Sequence, residues 1–203
     1  MKIICIGLNY RKHAEEMGSP FPEEPMFFLK PDSSIIRNNK PFFLPNFSEE
    51  IHYEAEIVLR ICKLGKSVSA KYAHRYYDAI TMGIDITARD LQRRQAARGG
   101  PWEICKAFDG SAPLGKFISV DKLENVHNLP FRLEKNGVVV QQSSTFDLIF
   151  GIDTIIAYVS RFFTLKTGDL IFTGTPSGVG PLKKDDHLKG FIGDDPVIDF
   201  NIR

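Results

Sequence analysis

Apolar residues run unbroken from Ile3 to Ile6, which predicts a buried strand over Lys2 to Gly7. Polar positions follow at once, and a short helix is expected from about Tyr10 to Met17, stopped by Gly18 and Pro20. Ser19 to Pro25 carries three prolines and two glutamates and reads as an exposed loop. Met26 to Leu29 is a short apolar run, and Pro41 to Pro45 brackets another. Tyr53 to Ile61 reads as a longer strand. Ser69 to Ile80 reads as a helix with Ser69 as its cap. Ile80 to Ile86 reads as a second core strand that leads into a polar helix from about Ala88 to Arg98. Leu129 to Lys135 and Val138 to Gln142 flank Asn136-Gly137, a strong hairpin signal. Ile155, Ile156, Val159, Phe162 and Phe163 fall at helical spacing and predict a helix from about Asp153 to Phe163. Leu170 to Thr173 and Val197 to Ile202 return to strand patterning, separated by glycine turns.

Strands therefore dominate, and the few helices do not alternate regularly with them. That pattern predicts a mostly-β α+β domain and argues against a doubly wound sheet. The chain has 203 residues, enough for one domain with a small lid and a sizeable core. A 43% hydrophobic and 25% charged composition fits a globular protein rather than a disordered one. A formal net charge of +1 gives no basic footprint, so neither nucleic acid nor an acidic membrane surface is an expected partner. The opening apolar run is too short for a signal sequence, and no stretch approaches the length of a membrane helix. Cys5, Cys62 and Cys105 form no CxxC pair and are expected to be free, buried thiols in a reducing cytoplasm.

Candidate chemistry is concentrated in Ile51-His-Tyr-Glu-Ala-Glu-Ile-Val-Leu59. In a strand, Glu54 and Glu56 share one face. Two adjacent carboxylates repel, and burying either without a partner is costly. A hard cation answers both problems, and all-oxygen ligation favours magnesium, manganese or calcium over zinc. The competing reading is an exposed strand face with two solvated glutamates. Asp85 stands alone in an apolar run and needs a compensating partner, which makes it a third candidate ligand. It can also be read as a helix cap, although Thr87 is better placed for that.

His13 and Glu16 lie three apart on the first helix, where the carboxylate can orient the imidazole. Such a pair can activate water, or it can be an ordinary surface pair. Lys106, flanked by apolar residues, either leans into a pocket to hold an oxyanion or snorkels to solvent. Gly174-Thr-Pro-Ser-Gly-Val-Gly180 can present N–H groups to an anion but has neither Walker nor Rossmann spacing. Arg89, Arg93, Arg94 and Arg98 read as one solvated or interface face. His52, His74, His127 and His187 show no ligand spacing.

Taken in order, these segments resemble the fumarylacetoacetate hydrolase family. The resemblance rests on Gly7-Leu-Asn-Tyr-Arg-Lys-His-Ala-Glu-Glu16, Phe28-Leu-Lys-Pro31, Tyr53-Glu-Ala-Glu56, Gly83-Ile-Asp-Ile-Thr-Ala-Arg-Asp-Leu-Gln92, Lys106-Ala-Phe-Asp109 and Thr173-Gly-Thr-Pro-Ser-Gly-Val-Gly180. It covers essentially the whole chain and looks most like the small acylpyruvate hydrolase and oxaloacetate decarboxylase branch. It implies a mixed β-roll, barrel-like core with a few peripheral helices. It further implies a homodimer and a site holding Mg2+ or Mn2+, with Ca2+ also compatible. By position it makes Glu54, Glu56 and Asp85 metal ligands. His13 and Glu16 become a catalytic dyad on a lid spanning about residues 10–25, and Lys106 an active-site lysine. Lys30, Arg89, Gln92 and Thr175 become substrate-binding or site-supporting positions. The implied reaction is hydrolysis of the C–C bond of acylpyruvates to pyruvate and a carboxylate. Oxaloacetate decarboxylation, a related oxo-acid isomerisation and a non-catalytic binding role are the alternatives. Ser111-Ala-Pro113 departs from the Cys-Pro found in many members.

Overall fold

A computed structural model describes all residues, Met1 to Arg203. The first half runs β1 (Ile3–Gly7), α1 (Arg11–Glu16), β2 (Met26–Lys30), β3 (Ile35–Ile36), β4 (Ile51–Tyr53), β5 (Ala55–Ile61), β6 (Tyr77–Ile84), β7 (Thr87–Ala88), α2 (Arg89–Ala97) and α3 (Glu103–Lys106). The second half runs β8 (Ala112–Pro113), β9 (Ile118–Ser119), β10 (Pro130–Lys135), β11 (Val138–Ser144), α4 (Ile152–Phe162), β12 (Leu170–Phe172), β13 (Gly180–Pro181), β14 (His187–Ile192) and β15 (Asp195–Asn201).

A mixed six-stranded sheet has the order β2-β1-β12-β5-β6-β9, with only β1 and β12 parallel. An antiparallel four-stranded sheet has the order β11-β10-β14-β15. Two small ladders, β13-β4-β7 and β3-β8, complete the structure, and the sheets do not close into a barrel. The architecture is α+β and mostly β, as the patterning predicts.

Both faces of the large sheet are covered, which explains the unbroken apolar start. Ile4 and Ile6 join the main core, while Ile3 and Cys5 join a smaller cluster with Val58, Leu170 and Phe172. The main core lies where the two large sheets meet. A Cβ at Gly190 would stand 2.2 Å from Met82 Sδ, so β14 approaches β6 this closely only with glycine there. Asn136 and Gly137 both take positive φ, 54° and 79°, the geometry of the tight hairpin turn their sequence predicts.

Four expectations are corrected. Ser69 to Ile80 is not one helix: a 3₁₀ turn covers Ala70–Arg75, and Tyr77 onward belongs to β6. Cross-strand pairing with β5 wins there, reinforced by the two-pronged Arg60–Asp78 ion pair at 2.9 Å. The run from Tyr53 to Ile61 breaks at Glu54, because β4 pairs into the small ladder and β5 into the large sheet. Asp85 lies just past the end of β6, and Thr87 does not cap α2. The Thr87 hydroxyl donates to the Asp85 carbonyl, while the Arg89 N–H is taken by the Glu50 carbonyl at 2.7 Å. Cys62 is only half-buried, whereas Cys5 and Cys105 are buried, and all three are free. Pro41 to Pro45 forms no strand beyond a bridge from Phe42 to Ile202. No helix is long and apolar enough to cross a membrane.

Candidate active site

Strand ends and chain breaks bring the acidic residues together. Glu54 sits at the β4–β5 break, Glu56 on β5, and Asp85 just beyond β6, where its N–H donates to the Glu54 carbonyl at 2.8 Å. All three are buried, and one oxygen of each lies within 4.8 Å of the others. The exposed-face reading of the Glu54/Glu56 pair is therefore excluded.

Cations surround two of the three. Lys106 Nζ donates to Glu54 Oε2 at 2.7 Å, to Asp85 Oδ2 at 2.8 Å and to Thr87 Oγ1 at 2.6 Å. Arg89 donates to the other Glu54 oxygen and to Gln92 Oε1. Burial pushes the Glu54 carboxyl up, but Lys106 and Arg89 outweigh it and hold the group well below the usual carboxylate range. Burial pulls the Lys106 ammonium down, yet Asp85 and Glu54 prevail and raise it. Arg89 is thus buried against Glu54 rather than on a solvated arginine face. Arg93, Arg94 and Arg98 of that run stay exposed, Arg94 4.0 Å from Asp90.

Glu56 differs. Its only hydrogen bond comes from the Gly174 N–H at 2.7 Å, and no lysine or arginine pairs with it. Burial, then Asp85, then Glu54 push its carboxyl well above the ordinary range. Asp85 Oδ1 likewise makes no hydrogen bond, although Lys30 Nζ lies 2.8 Å away. A buried carboxylate with no cationic partner, grouped with two more carboxylates in an all-oxygen set, fits a hard divalent cation.

Because the Glu56 pKa is raised in the folded state, its contribution to stability is fully present below the ordinary glutamate range. That contribution is lost as pH rises toward the raised value. Glu56→Gln should therefore stabilise the metal-free protein at neutral pH by about 1–3 kcal/mol. Thermal denaturation in EDTA against pH checks this: the gain should shrink toward acid pH, and a uniform loss would contradict the burial account.

A cavity of about 360 Å³ opens onto this cluster. His13, Glu54, Glu56, Asp85, Arg89, Gln92, Lys106 and Thr175 all line it, and Phe28, Trp102, Met17 and Ala96 supply apolar wall. Phe28 places its ring 5.3 Å from Lys106 Nζ and packs on Trp102. A larger groove of about 650 Å³, around Ile35 to Phe43, holds none of the candidate residues.

His13 is buried on α1, with Nδ1 3.0 Å from Glu16 Oε2. Glu16 is exposed and does not line the cavity, and its second oxygen accepts the Gly178 N–H at 3.0 Å. The carboxylate therefore ties the α1 segment to the glycine loop while orienting the imidazole. An ordinary surface pair would do neither.

Lys30 is fully buried and does not reach the cavity. It donates to the Lys106 carbonyl and to Ser111 O and Oγ, and it backs Asp85. Ser111 Oγ also donates to the Lys106 carbonyl at 2.9 Å, so this serine fastens two lysines of the site. Two buried supports escaped the sequence. Asn9 donates to the Phe150 and Thr173 carbonyls, and Gln141 donates to Thr175 Oγ1 and Pro176 O while accepting from the Ala55 N–H. Their signal is weak: a polar residue in an otherwise buried stretch.

The model for the fumarylacetoacetate (FAA) hydrolase C-terminal family matches residues 2–202. An oxaloacetate decarboxylase of Dictyostelium discoideum is 39% identical over 99% of this chain and 93% of its own. An oxaloacetate tautomerase of Escherichia coli is 39% identical over 92% of this chain and 86% of its own. Among solved structures, fumarylpyruvate hydrolase from Pseudomonas aeruginosa, in complex with Mn2+ and pyruvate, superposes with a TM-score of 0.94 at 35% identity. It covers all of this chain and 89% of its own.

Proposed function

The chain belongs to the fumarylacetoacetate hydrolase family, and from that premise we propose that it is a divalent-metal-dependent enzyme of short 2-oxo acids carrying a second carbonyl two carbons away. Acylpyruvates and oxaloacetate both meet that description. The observation that carries the proposal is the buried Glu54/Glu56/Asp85 cluster on the wall of a cavity that also holds His13. Residues 1–203 act as one catalytic domain, with about residues 10–25 as its lid. A non-catalytic role is set aside, because His13, Glu16 and Lys106 are all present and the named relatives are enzymes.

Glu54, Glu56 and Asp85 would hold Mg2+ or Mn2+. A divalent cation there supplies Lewis-acid stabilisation of negative charge on substrate oxygens. The protein's own groups do the rest. With Nδ1–H given to Glu16, His13 keeps Nε2 as a free base toward the cavity. In acylpyruvate hydrolysis, Nε2 takes a proton from water as the water oxygen bonds to C4. The C3–C4 bond then breaks, its electron pair passes to the pyruvate enolate, and protonation at C3 yields pyruvate and a carboxylate. In oxaloacetate, the same nitrogen can take a proton from C3 and return one to the C2 oxygen. Loss of carbon dioxide reaches the same enolate without water attack. The dyad supports hydrolysis, and the relatives' named activities favour oxaloacetate. Lys106 holds the Glu54 and Asp85 carboxylates in place and adds positive charge near the developing enolate.

A homodimer and a cytoplasmic setting belong to the same proposal. The first is supported by the outer edge of β2, which pairs with no strand and leaves Leu29 exposed. The second is supported by the free cysteines. The test is a side-by-side assay of acetylpyruvate, fumarylpyruvate and oxaloacetate with added Mg2+ or Mn2+. At least one should turn over and lose that turnover in EDTA; no metal-dependent turnover of any would sink the proposal.

A further inference from the structure

Helix α2 lines the cavity with Arg89 and, four residues on, with Arg93. Four residues advance about 6 Å along a helix and return to nearly the same face. Arg89 is buried at the carboxylate cluster, whereas the Arg93 side chain is 60% exposed and stands at the rim. Arg93 is nevertheless not loose. Its two terminal nitrogens engage both oxygens of Glu50, one of them at 3.1 Å. Glu50 in turn lies 3.1 Å from His52 Nε2, and its carbonyl accepts the Arg89 N–H that opens the helix. Glu50, itself backed by His52, thus holds the guanidinium at the cavity mouth.

That guanidinium has donors to spare. It carries five N–H groups, and Glu50 takes two of them. The buried cations of the site are already engaged: Lys106 and Arg89 with Glu54, and Lys106 and Lys30 with Asp85. No buried cation is left over for a second substrate carboxylate, so a distal one must be met at the rim. We propose that Arg93, braced by Glu50 and His52, is the specificity-determining residue that binds the distal carboxylate of a dicarboxylic 2-oxo acid and so selects dicarboxylic over monocarboxylic substrates. This rests on the functional reading above and deepens it. A planar fork fixed on one edge presents its other donors with little ordering cost, which suits a carboxylate.

The test uses two ligands that the proposed chemistry leaves intact, 2-oxoglutarate and 2-oxobutyrate, titrated calorimetrically into the full-length protein with Mn2+. Arg93→Gln should weaken 2-oxoglutarate binding roughly tenfold and leave 2-oxobutyrate within about twofold. Arg93→Lys should restore part of the loss, because charge survives but the fork does not. In turnover, Arg93→Gln should raise KM for oxaloacetate or fumarylpyruvate and spare acetylpyruvate. Equal weakening of both ligands, or no change in either, would overturn the assignment of Arg93 while leaving the metal-dependent oxo-acid reading intact. Failure of the wild-type protein to bind either ligand would overturn both.

Discussion

Asp85→Asn is expected to abolish tight divalent-metal binding and to lower kcat/KM by about a thousandfold or more, since losing Lewis-acid stabilisation costs several kcal/mol. Asp85 is buried, Lys30 and Lys106 each face one of its oxygens, and one of those oxygens lies within 4.8 Å of an oxygen of Glu54 and of Glu56. Asparagine keeps the shape and removes the charge. It also leaves Lys106 with Glu54 and Thr87, and Lys30 with Ser111, as partners, so the site loses a ligand without losing its packing. Breaking a buried ion pair destabilises, by about 3–5 kcal/mol when one partner is removed outright. Circular dichroism must therefore accompany the Mn2+ titration. A folded Asp85→Asn protein that binds Mn2+ with unchanged affinity would show that the ligand set is wrong.

His13→Ala is expected to lower acylpyruvate hydrolysis by about 10²–10⁴-fold and to leave Mn2+ affinity unchanged. His13 contacts Glu16, not the metal-ligand carboxylates, so removing it should not disturb the cation. Oxaloacetate tautomerisation should fall with hydrolysis, because both need a proton carrier. Decarboxylation should persist, because it needs neither a base nor water. A variant that hydrolyses acylpyruvates at the wild-type rate would remove His13 from the mechanism. One that loses decarboxylation in parallel would show that His13 does more than carry protons.

Much of this was legible because it is local. Asn136-Gly137 fixes a turn by its own backbone preferences, and the apolar spacing from Ile155 to Phe163 marks α4 without help from elsewhere. The period-2 acidic pair was visible for the same reason. What the chain could not show locally depends on contacts distant in sequence. Tyr77 to Ile80 has no strong intrinsic preference for strand and becomes one by pairing with β5. The break at Glu54 exists because adjacent residues join different sheets. Lys30 matched a site position by resemblance, but its place behind Asp85 follows from acceptors 76 and 81 residues away. By spacing alone Arg89 and Arg93 read alike as surface arginines, and resemblance singled out only Arg89. The tertiary placement of Glu54 and Glu50 makes one a buried ion pair and the other a rim contact.

The central claim is that Glu54, Glu56 and Asp85 hold a divalent cation. Crystals grown with Mn2+ and measured at a wavelength where manganese scatters anomalously test it directly. The expected result is one strong anomalous peak within about 2.0–2.3 Å of an oxygen from each of the three carboxylates. A fully occupied peak elsewhere in the protein, or none at the cluster at saturating Mn2+, would contradict it.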